Sequence, residues 1–333
     1  MTRKLLVMNR KRIWITWENQ RRNRELSKAL NATLYQLDEI DMISNWIKKY
    51  SYGILKTIRI MIKKKPELTF CQNPSIVLSL LIVVIRRILR TKVVIDAHNS
   101  GIYPLEGTSR FLNRISKYIQ RKADLTIITN EALKSEVDRN NGYGFVLQDK
   151  IPYLPSMNQR NLKGKNNILF ICTFAADEPF STVINAAKEI KDDIHIYITG
   201  RYEKVFNKLE DQAKNITFTG FIPESDYIQM LRSVDAILVL TTRENCLVCG
   251  AYEAVSVGKP LILSDTQALR SYFYKGVIFT RHQEKEIAES IRKATQNKVL
   301  LRREVEGLKK ELKENWIKRR DGLEKIINEL IEK

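Results

Sequence analysis

The chain has 333 residues, 44% of them hydrophobic, and a formal net charge of +19. This length is enough for two α/β domains, and the composition is typical of a folded protein and excludes a disordered one. No uncharged apolar run reaches the roughly 18 residues of a spanning helix, and the first residues lack the apolar core of a secretory signal. We therefore expect a cytoplasmic protein without a membrane span.

The positive charge is concentrated in the first half of the chain. Residues 1–160 carry a net charge of +16, and the remaining residues carry +3. Such asymmetry predicts an anionic partner for one domain, either nucleic acid or an anionic membrane, with a merely solubilising lysine surface as the alternative. Residues 44–65 and 109–122 combine cations with aromatic and aliphatic side chains, which favours helices lying in a membrane interface. Their apolar residues can instead face the core.

Apolar runs typical of buried parallel strands alternate along the chain with segments typical of helices. The predicted strands are 12–17, 32–37, 68–71, 92–97, 124–129, 145–147, 167–174, 194–199, 216–220, 234–240 and 261–263. The principal predicted helices are 23–30, 44–65 (as one helix or as two that meet at Gly53), 76–90, 109–121, 131–139, 179–190, 203–214, 224–232, 248–257, 283–295 and 298–332. This alternation predicts an α/β fold of two Rossmann-like doubly wound domains, residues 1–155 and 156–315, followed by a C-terminal helix over 316–333.

One strand–loop–helix–strand unit in the second half contains the most informative pattern. Its sequence over residues 243–265 is RENCLVCGAYEAVSVGKPLILSD, and its helix ends at the Gly258-Lys259-Pro260 stop signal. Ligands of open α/β sheets bind outside the carboxyl ends of the strands, where this loop lies. The helix N-terminus there offers free N–H groups and a positive dipole end to a phosphate.

This unit resembles the donor motif of GT-B glycosyltransferases, especially the retaining family-four, or group 1, bacterial enzymes. Glu253 and the following AVSVGKPLI match the second half of the motif. The motif has another Glu eight positions earlier, where this chain has Asn245, with Glu244 one position before it. Either Asn245 replaces that Glu or the loop is one residue longer. The resemblance implies that Glu253 holds the donor ribose and that Glu244 or Asn245 holds donor-sugar hydroxyls.

The resemblance also implies roles for other residues around the donor. The segment Cys246, Leu247, Val248, Cys249 and Gly250 would meet the sugar and the phosphates through its amides. Phe221 and Ile222 match the turn that contacts the nucleobase. The loop CTFAADEPF lacks the cations that the family places there, so Arg243, Arg201 and the amides near Cys249 and Gly250 are expected to replace them. Gly200, next to Arg201, is also assigned to the donor. The Cys246–Cys249 pair alone is a weak signal for zinc or redox chemistry and is expected to pack the loop.

The acceptor side is assigned to the first domain. His98 follows a strand, as a histidine does in many GT-B enzymes, and is expected at the reacting centre with Asn99 beside it. The loop after the first strand is ENQRR instead of a glycine-rich turn. Glu18, Arg21 and Arg22 are therefore assigned to the acceptor.

Taken with the family, these patterns predict a metal-independent hexosyltransferase-type enzyme with a nucleoside-diphosphate sugar as co-substrate and no other cofactor. The expected acceptor is a polyprenyl-diphosphate-linked glycan of surface or exopolysaccharide synthesis, met on the inner face of the plasma membrane. The C-terminal helix is expected to pack back on the first domain. The alternatives are a non-catalytic sugar-nucleotide scaffold on the same fold and, with no recognition motif to support it, a basic nucleic-acid-binding protein.

Overall fold

The computed structural model describes residues 11–73, 75–190, 193–205 and 213–332. The chain forms two compact units, one of residues 1–150 with 316–333 and one of residues 151–315. Each unit contains a six-stranded sheet, and the strand pairs in both sheets are parallel. The predicted α/β class with two Rossmann-like sheets is confirmed.

The first unit alternates strands and helices along the chain. Its elements are β1 (Arg12–Thr16), α1 (Arg21–Ala29), β2 (Thr33–Gln36), α2 (Trp46–Lys64), β3 (Leu68–Asn73), α3 (Ile76–Ile85), β4 (Lys92–Ala97), α4 (Asn99–Ile102), α5 (Arg110–Lys122), β5 (Leu125–Ile128), α6 (Glu131–Arg139) and β6 (Gly144–Val146). The strand order is β2-β1-β3-β4-β5-β6, so β2 is an edge strand. Since crossovers are right-handed, the leftward step to β2 places α1 on one face, and the rightward steps place α2, α3, α5 and α6 on the other.

The second unit repeats the alternation, and its last helix continues into the first unit. The elements are β7 (Asn166–Phe170), α7 (Phe180–Glu189), β8 (Ile194–Thr199), β9 (Ile216–Gly220), α8 (Glu224–Ser233), β10 (Ala236–Val239), α9 (Cys249–Val257), β11 (Leu261–Ser264), α10 (Gln267–Tyr272), β12 (Val277–Thr280), α11 (Glu284–Gln296) and α12 (Lys298–Glu332). The strand order is β12-β11-β10-β7-β8-β9. Most of the predicted helix 203–214 lies outside the described residues.

The C-terminal part of α12 completes the core of the first unit. Trp316, Leu323 and Ile327 pack against the α1 face of the sheet, where the Trp14 and Phe70 rings stack with their centroids 5.1 Å apart. The buried Arg12 guanidinium donates to Asn328 Oδ1 at 2.8 Å and to Leu30 O at 3.0 Å. These contacts explain why α12, a helix of 35 residues that begins in the second unit, ends on the first unit.

The long basic helix α2 is continuous through Gly53, so of the two alternatives for residues 44–65 the structure shows a single helix. Gly53 lies against the buried ring of Trp17, and a Cβ there would approach that ring to 2.8 Å. Trp17 Nε1 also donates to Thr57 Oγ1 one turn later, at 3.1 Å. The glycine is therefore needed for close packing of a core ring, and this requirement outweighs its poor helix propensity.

A buried ion pair connects the carboxyl ends of β1 and β4. Arg22 donates from Nε and Nη2 to Asp96, at 2.7 to 3.0 Å, and from Nη1 to Asp149 at 2.7 Å. Arg22 is 6% exposed and Asp96 is fully buried. Burial by itself lowers the pKa of Arg22, but the two carboxylates outweigh it and raise that pKa above its ordinary value. The assignment of Arg22 to the acceptor is thus corrected, because its guanidinium is already fully engaged inside the unit.

We predict that Asp96→Asn leaves the Arg22 charge buried without its main partner. Breaking one side of a buried pair costs about 3–5 kcal/mol, which lowers the melting temperature of the first unit by roughly 6–20 °C. Thermal denaturation followed by circular dichroism measures this shift. In the double variant Arg22→Met/Asp96→Leu most of the loss should be recovered, and a double variant no more stable than Asp96→Asn would contradict the ion-pair explanation.

Candidate active site

The loop after β10 leads into the N-terminus of α9, which is open to a ligand. Its N-cap, Val248, makes no side-chain capping bond. Gly250 lets the helix approach the sheet, because a Cβ at this position would lie 2.9 Å from Ile171 and 3.0 Å from Val239. The result is a helix N-terminus placed against the carboxyl end of a buried strand, an arrangement suited to phosphate.

Glu253 lies one turn further along α9 and is already oriented by a neighbouring helix. Its Oε2 accepts a hydrogen bond of 2.6 Å from the Tyr227 hydroxyl on α8, and both residues are partly buried. The carboxylate is thus held near the helix N-terminus with a fixed direction. Tyr227 was not predicted from the sequence, because an aromatic residue in an amphipathic helix does not indicate a hydrogen-bond partner 26 residues away.

Two glycines and an aromatic residue shape the ends of β8 and β9. Gly200 has a φ of +96°, and a Cβ there would lie 2.3 Å from the carbonyl oxygen of Cys172. Gly220 has a φ of +68° and is followed by Phe221, whose ring is 76% exposed. The Arg201 guanidinium lies 5.1 Å from the centre of that ring. An exposed ring beside a cation offers a flat surface to a planar base, and Ile222 next to it is half-buried.

The loop between β7 and α7 is organised by its own carboxylate, Glu178. Glu178 Oε2 accepts hydrogen bonds from the amides of Thr173 and Ala175, at 2.8 and 2.9 Å, and from the Thr173 hydroxyl at 3.0 Å. Burial and Glu178 together raise the pKa of the Cys172 thiol well above its ordinary range. Amides at this point of the fold therefore already hold an internal anion.

The adjacent Asp177 ties this loop to the loop that follows β10. Its Oδ2 accepts from the Thr241 hydroxyl at 2.7 Å, and its carbonyl oxygen accepts from the Thr242 amide at 2.7 Å. Arg243, one of the predicted phosphate ligands, lies with Nη2 at 3.3 Å from Asp177 Oδ1. Asp177 thus fixes the start of the segment that contains Glu244 and Asn245.

Of these two alternatives, Glu244 is exposed and Asn245 is partly buried. Glu244 also acts electrostatically on His282, whose pKa is lowered by burial and raised by that carboxylate, with a net lowering. Leu247 and Val248 pack partly buried against the core of the unit. Cys246 and Cys249 form no disulfide bond. Among the described residues, no three His, Cys, Asp or Glu side chains converge as a metal site.

In the first unit, polar groups without partners collect at the carboxyl ends of β3 and β4. Within the described part of the chain, Asn73 Oδ1, His98 Nε2 and Asn99 Oδ1 are buried and make no hydrogen bond. His98 is held by its amide, which donates to Asn73 O at 3.0 Å, and its Nε2 lies 4.0 Å from Asp96 Oδ2. Buried polar atoms normally have partners, so three adjacent exceptions mark a site for a polar ligand. Asn73 was not predicted, although its place at a strand end was a usable signal.

The loop after β1 is fixed by a buried network behind it. Asn23 Nδ2 donates to Gln72 Oε1 at 2.6 Å, and the Thr16 hydroxyl donates to the same oxygen at 2.8 Å. Glu18 Oε2 accepts from Gln20 Nε2 at 2.7 Å. Glu18 and Arg21 are partly exposed, so of the three residues predicted in this loop these two retain accessible side chains.

The outer surface of α2, α3 and α5 combines apolar and cationic side chains. These helices lie side by side, since α3 contacts both α2 and α5. The exposed apolar residues of these helices and of the turn after α3 are Trp46, Ile47, Tyr50, Leu55, Ile62, Val84, Ile88, Phe111 and Tyr118. The exposed cations among them are Lys48, Arg59, Lys63, Lys64, Arg87, Arg110, Arg114, Lys117, Arg121 and Lys122. The described residues include no helix long and apolar enough to cross a membrane.

Comparison with known proteins relates this architecture to a class of enzymes. Residues 156–319 match the family described as "Glycosyl transferases group 1". No curated protein matches the chain. The structure is similar to that of sucrose-phosphate synthase from Thermosynechococcus elongatus, with 13% identity, a TM-score of 0.76, and 96% of this chain and 99% of that chain covered.

Two structures of HepE from Anabaena are also similar. The complex with UDP has 12% identity and a TM-score of 0.70, with 96% of this chain and 100% of that chain covered. The complex with UDP-glucose has 12% identity and a TM-score of 0.66, with 92% and 90% covered. These likenesses establish the GT-B fold. The family match covers residues 156–319, so it relates the second unit and the start of the following helical segment to the group 1 glycosyltransferases.

We predict that Glu178→Ala loosens the loop between β7 and α7. The variant leaves two amides and a hydroxyl without their acceptor, which costs about 1–2 kcal/mol because part of the loop is open to water. The melting temperature of the second unit should fall by a few degrees. Glu189→Ala, an exposed glutamate on α7, is the control and should leave it unchanged. Equal melting temperatures for both variants would contradict the assigned role of Glu178.

Proposed function

We propose that the chain transfers a hexose from a nucleoside-diphosphate sugar to a hydroxyl group of a polyprenyl-diphosphate-linked glycan in surface or exopolysaccharide synthesis. The observation that carries the donor half is the uncapped N-terminus of α9 with Glu253 one turn away, held by Tyr227. The solved HepE complexes with UDP and UDP-glucose support a nucleotide sugar as the donor class.

Each part of the donor has a matching group in the second unit. The diphosphate lies at the α9 N-terminus, where the amides of Cys249 and Gly250 meet its charge. Glu253 accepts hydrogen bonds from the ribose diol, and the Phe221 ring supports the base. Glu244 accepts from hydroxyls of the donor sugar, since its carboxylate is exposed whereas Asn245 is partly buried. Arg201 adds positive charge beside Phe221.

The reaction breaks the bond between the anomeric carbon and the β-phosphate oxygen, and the acceptor oxygen forms a bond to the same carbon. The acceptor proton passes to the departing diphosphate. Negative charge grows on that diphosphate, so fixed amides at a helix N-terminus stabilise the transition state more than the ground state. We propose that configuration is retained and that no metal ion takes part. His98, Asn99 and Asn73 supply polar atoms for the acceptor hydroxyl.

The acceptor half of the proposal rests on the outer surface of α2, α3 and α5. Exposed Leu, Ile, Val, Phe and Tyr side chains beside many cations suit the interface of an anionic bilayer, where each Lys or Arg contributes about 1 kcal/mol. The protein then works as a peripheral protein on the inner face of the plasma membrane, where a lipid-linked acceptor is presented.

A second candidate, a non-catalytic sugar-nucleotide scaffold, is favoured by one observation. The loop between β7 and α7 contains the anions Asp177 and Glu178 and no cation, and Glu178 already occupies its amides. A scaffold binds the donor without turnover. The two candidates are separated by an assay in which each nucleotide sugar is incubated with the protein and a membrane lipid extract. Release of free nucleoside diphosphate indicates the enzyme. If none of the nucleotide sugars that bind releases it, the scaffold is favoured.

We predict that Glu253→Ala weakens nucleotide binding by about 2–3 kcal/mol, or roughly 30- to 150-fold in Kd, because it removes charge-assisted bonds to the ribose. Tyr227→Phe should weaken it only severalfold, since the carboxylate remains. Calorimetry with the nucleotide that gives the largest thermal shift measures both. Asp226→Ala, an exposed acid on α8, is the control. Wild-type affinity in Glu253→Ala would refute the ribose assignment.

We predict that His98→Ala lowers kcat at least tenfold while the Kd of the nucleotide changes less than twofold, because the side chain acts on the acceptor and not on the donor. Steady-state kinetics with calorimetry on the same samples gives both values. His195→Ala removes a histidine that bonds Thr217 in the second unit and should retain kcat. Full turnover in His98→Ala would assign this histidine a purely structural role.

We predict that the protein pellets with anionic vesicles at low salt, dissociates at high salt and ignores neutral vesicles. Replacement of five lysines by Gln should abolish pelleting and preserve the nucleotide-induced thermal shift. These lysines are Lys48, Lys49, Lys63, Lys64 and Lys65. The matched control replaces five exposed lysines of the second unit, namely Lys188, Lys214, Lys285, Lys310 and Lys313. Wild-type protein that stays in the supernatant would contradict a membrane-bound acceptor.

A further inference from the structure

A groove in the first unit lies between α2 and the edge strand β2. Its volume is about 650 Å³ and it is open to solvent. The strand contributes Tyr35 and Gln36, and Leu37 follows them. The helix contributes Tyr52, Leu55, Lys56, Arg59, Ile60, Lys63 and Lys64. The residues that line the groove include four cations and no acid, so the lining has a net positive charge.

Only part of this charge is neutralised by neighbours. Lys56 Nζ pairs with Glu39 at 2.8 Å, and the Lys64 ammonium lies 5.8 Å from the centre of the Tyr35 ring. Within the described part of the chain, Arg59 and Lys63 have no carboxylate partner. They lie one turn apart on the same side of α2, where like charges repel. An anion bound between them would remove this repulsion, and a groove holds such an anion better than a flat surface does.

The polar wall of the groove adds a second requirement. Gln36 Oε1 is buried and accepts no hydrogen bond within the described part of the chain, while its Nε2 donates to Asp38. An unpartnered buried acceptor calls for a donor such as a hydroxyl group. Cations and an acceptor in one groove fit a phosphate ester that also carries a hydroxyl.

The rim of the groove indicates where such a group comes from. Leu55 lines the groove and is 69% exposed, and Ile62, two turns further along the same stripe of α2, is 55% exposed. Exposed aliphatic side chains next to a phosphate site suit the chains of a lipid better than they suit a free phosphate.

We propose that this groove binds the phosphate head group of a membrane lipid, with the phosphate between Arg59 and Lys63, a head-group hydroxyl at Gln36, and the acyl chains along Leu55 and Ile62. The proposal rests on the peripheral membrane location proposed above and refines it. Charge on α3 and α5 attracts the bilayer without selectivity, whereas the groove recognises individual lipid molecules.

The test uses monomeric dihexanoylphosphatidylglycerol, which presents the head group without a bilayer. Calorimetry with the full chain should detect saturable binding, and Arg59→Gln/Lys63→Gln should weaken it at least tenfold. The matched control, Arg114→Gln/Lys117→Gln on α5, removes the same charge outside the groove and should change it less than twofold. The Gln36→Leu variant should abolish any preference for this lipid over dihexanoylphosphatidylmethanol, which lacks the hydroxyls.

Three results would overturn the proposal: no binding of the monomeric lipid, equal loss in the groove and control variants, or inorganic phosphate bound as tightly as the lipid. The last result would assign the groove to free phosphate. Nucleotide-induced thermal shifts measured on the same variants keep the two proposals apart. If they persist while lipid binding fails, the groove assignment is wrong and the glycosyltransferase proposal stands; if they are absent from wild type, the donor proposal itself fails.

Discussion

The pair between Arg22 and Asp96 is the constraint on which the first unit's polar site depends. Asp96 is fully buried near the end of β4. A carboxylate buried there without a cation would cost a large desolvation free energy. Arg22 reaches it from the start of α1 and also holds Asp149 and the Leu147 carbonyl. The contacts of Arg22 therefore connect the start of α1 with the end of β4 and with residues 147–149. His98 follows Asp96 by two residues, so its position is set by the same contact.

In the second unit, the loops at the strand ends are held by carboxylates that accept hydrogen bonds from amides and hydroxyls instead of by an ion pair. Its loops at the carboxyl ends of β7 and β10 are held together by acids, with Asp177 bonding Thr241 and Thr242 and Glu178 bonding the amides of its own loop. These acids rigidify the region and use amides that would otherwise meet an anion. The proposed diphosphate site therefore rests on the α9 N-terminus, where Val248 makes no side-chain cap and Gly250 allows the helix to pack closely against the sheet.

Much of the architecture was readable from the sequence because it depends on local patterns. The central strands are short apolar runs buried on both faces of a parallel sheet, and the Gly258-Lys259-Pro260 stop marks the end of α9. The failures have a common cause in tertiary contacts. The Trp17 ring keeps α2 continuous at Gly53, and Asp96 lies 74 residues from the Arg22 it neutralises. The partner of Glu253, Tyr227, likewise comes from another helix. Spacing along a chain does not report such contacts.

The uneven charge of the chain reflects how the charged side chains of each unit are paired. In the second unit, Asp235 pairs with Lys298 and Arg302 at the start of α12. In the first unit, the buried cations Arg12 and Arg22 have acidic partners, whereas most outward cations of α2, α3 and α5 have none among the described residues. Unpaired surface charge reduces the stability of a compact state. Its concentration beside exposed Leu, Ile and Phe side chains is therefore a cost in stability that folding alone does not require. The proposed contact of this surface with an anionic bilayer would offset that cost.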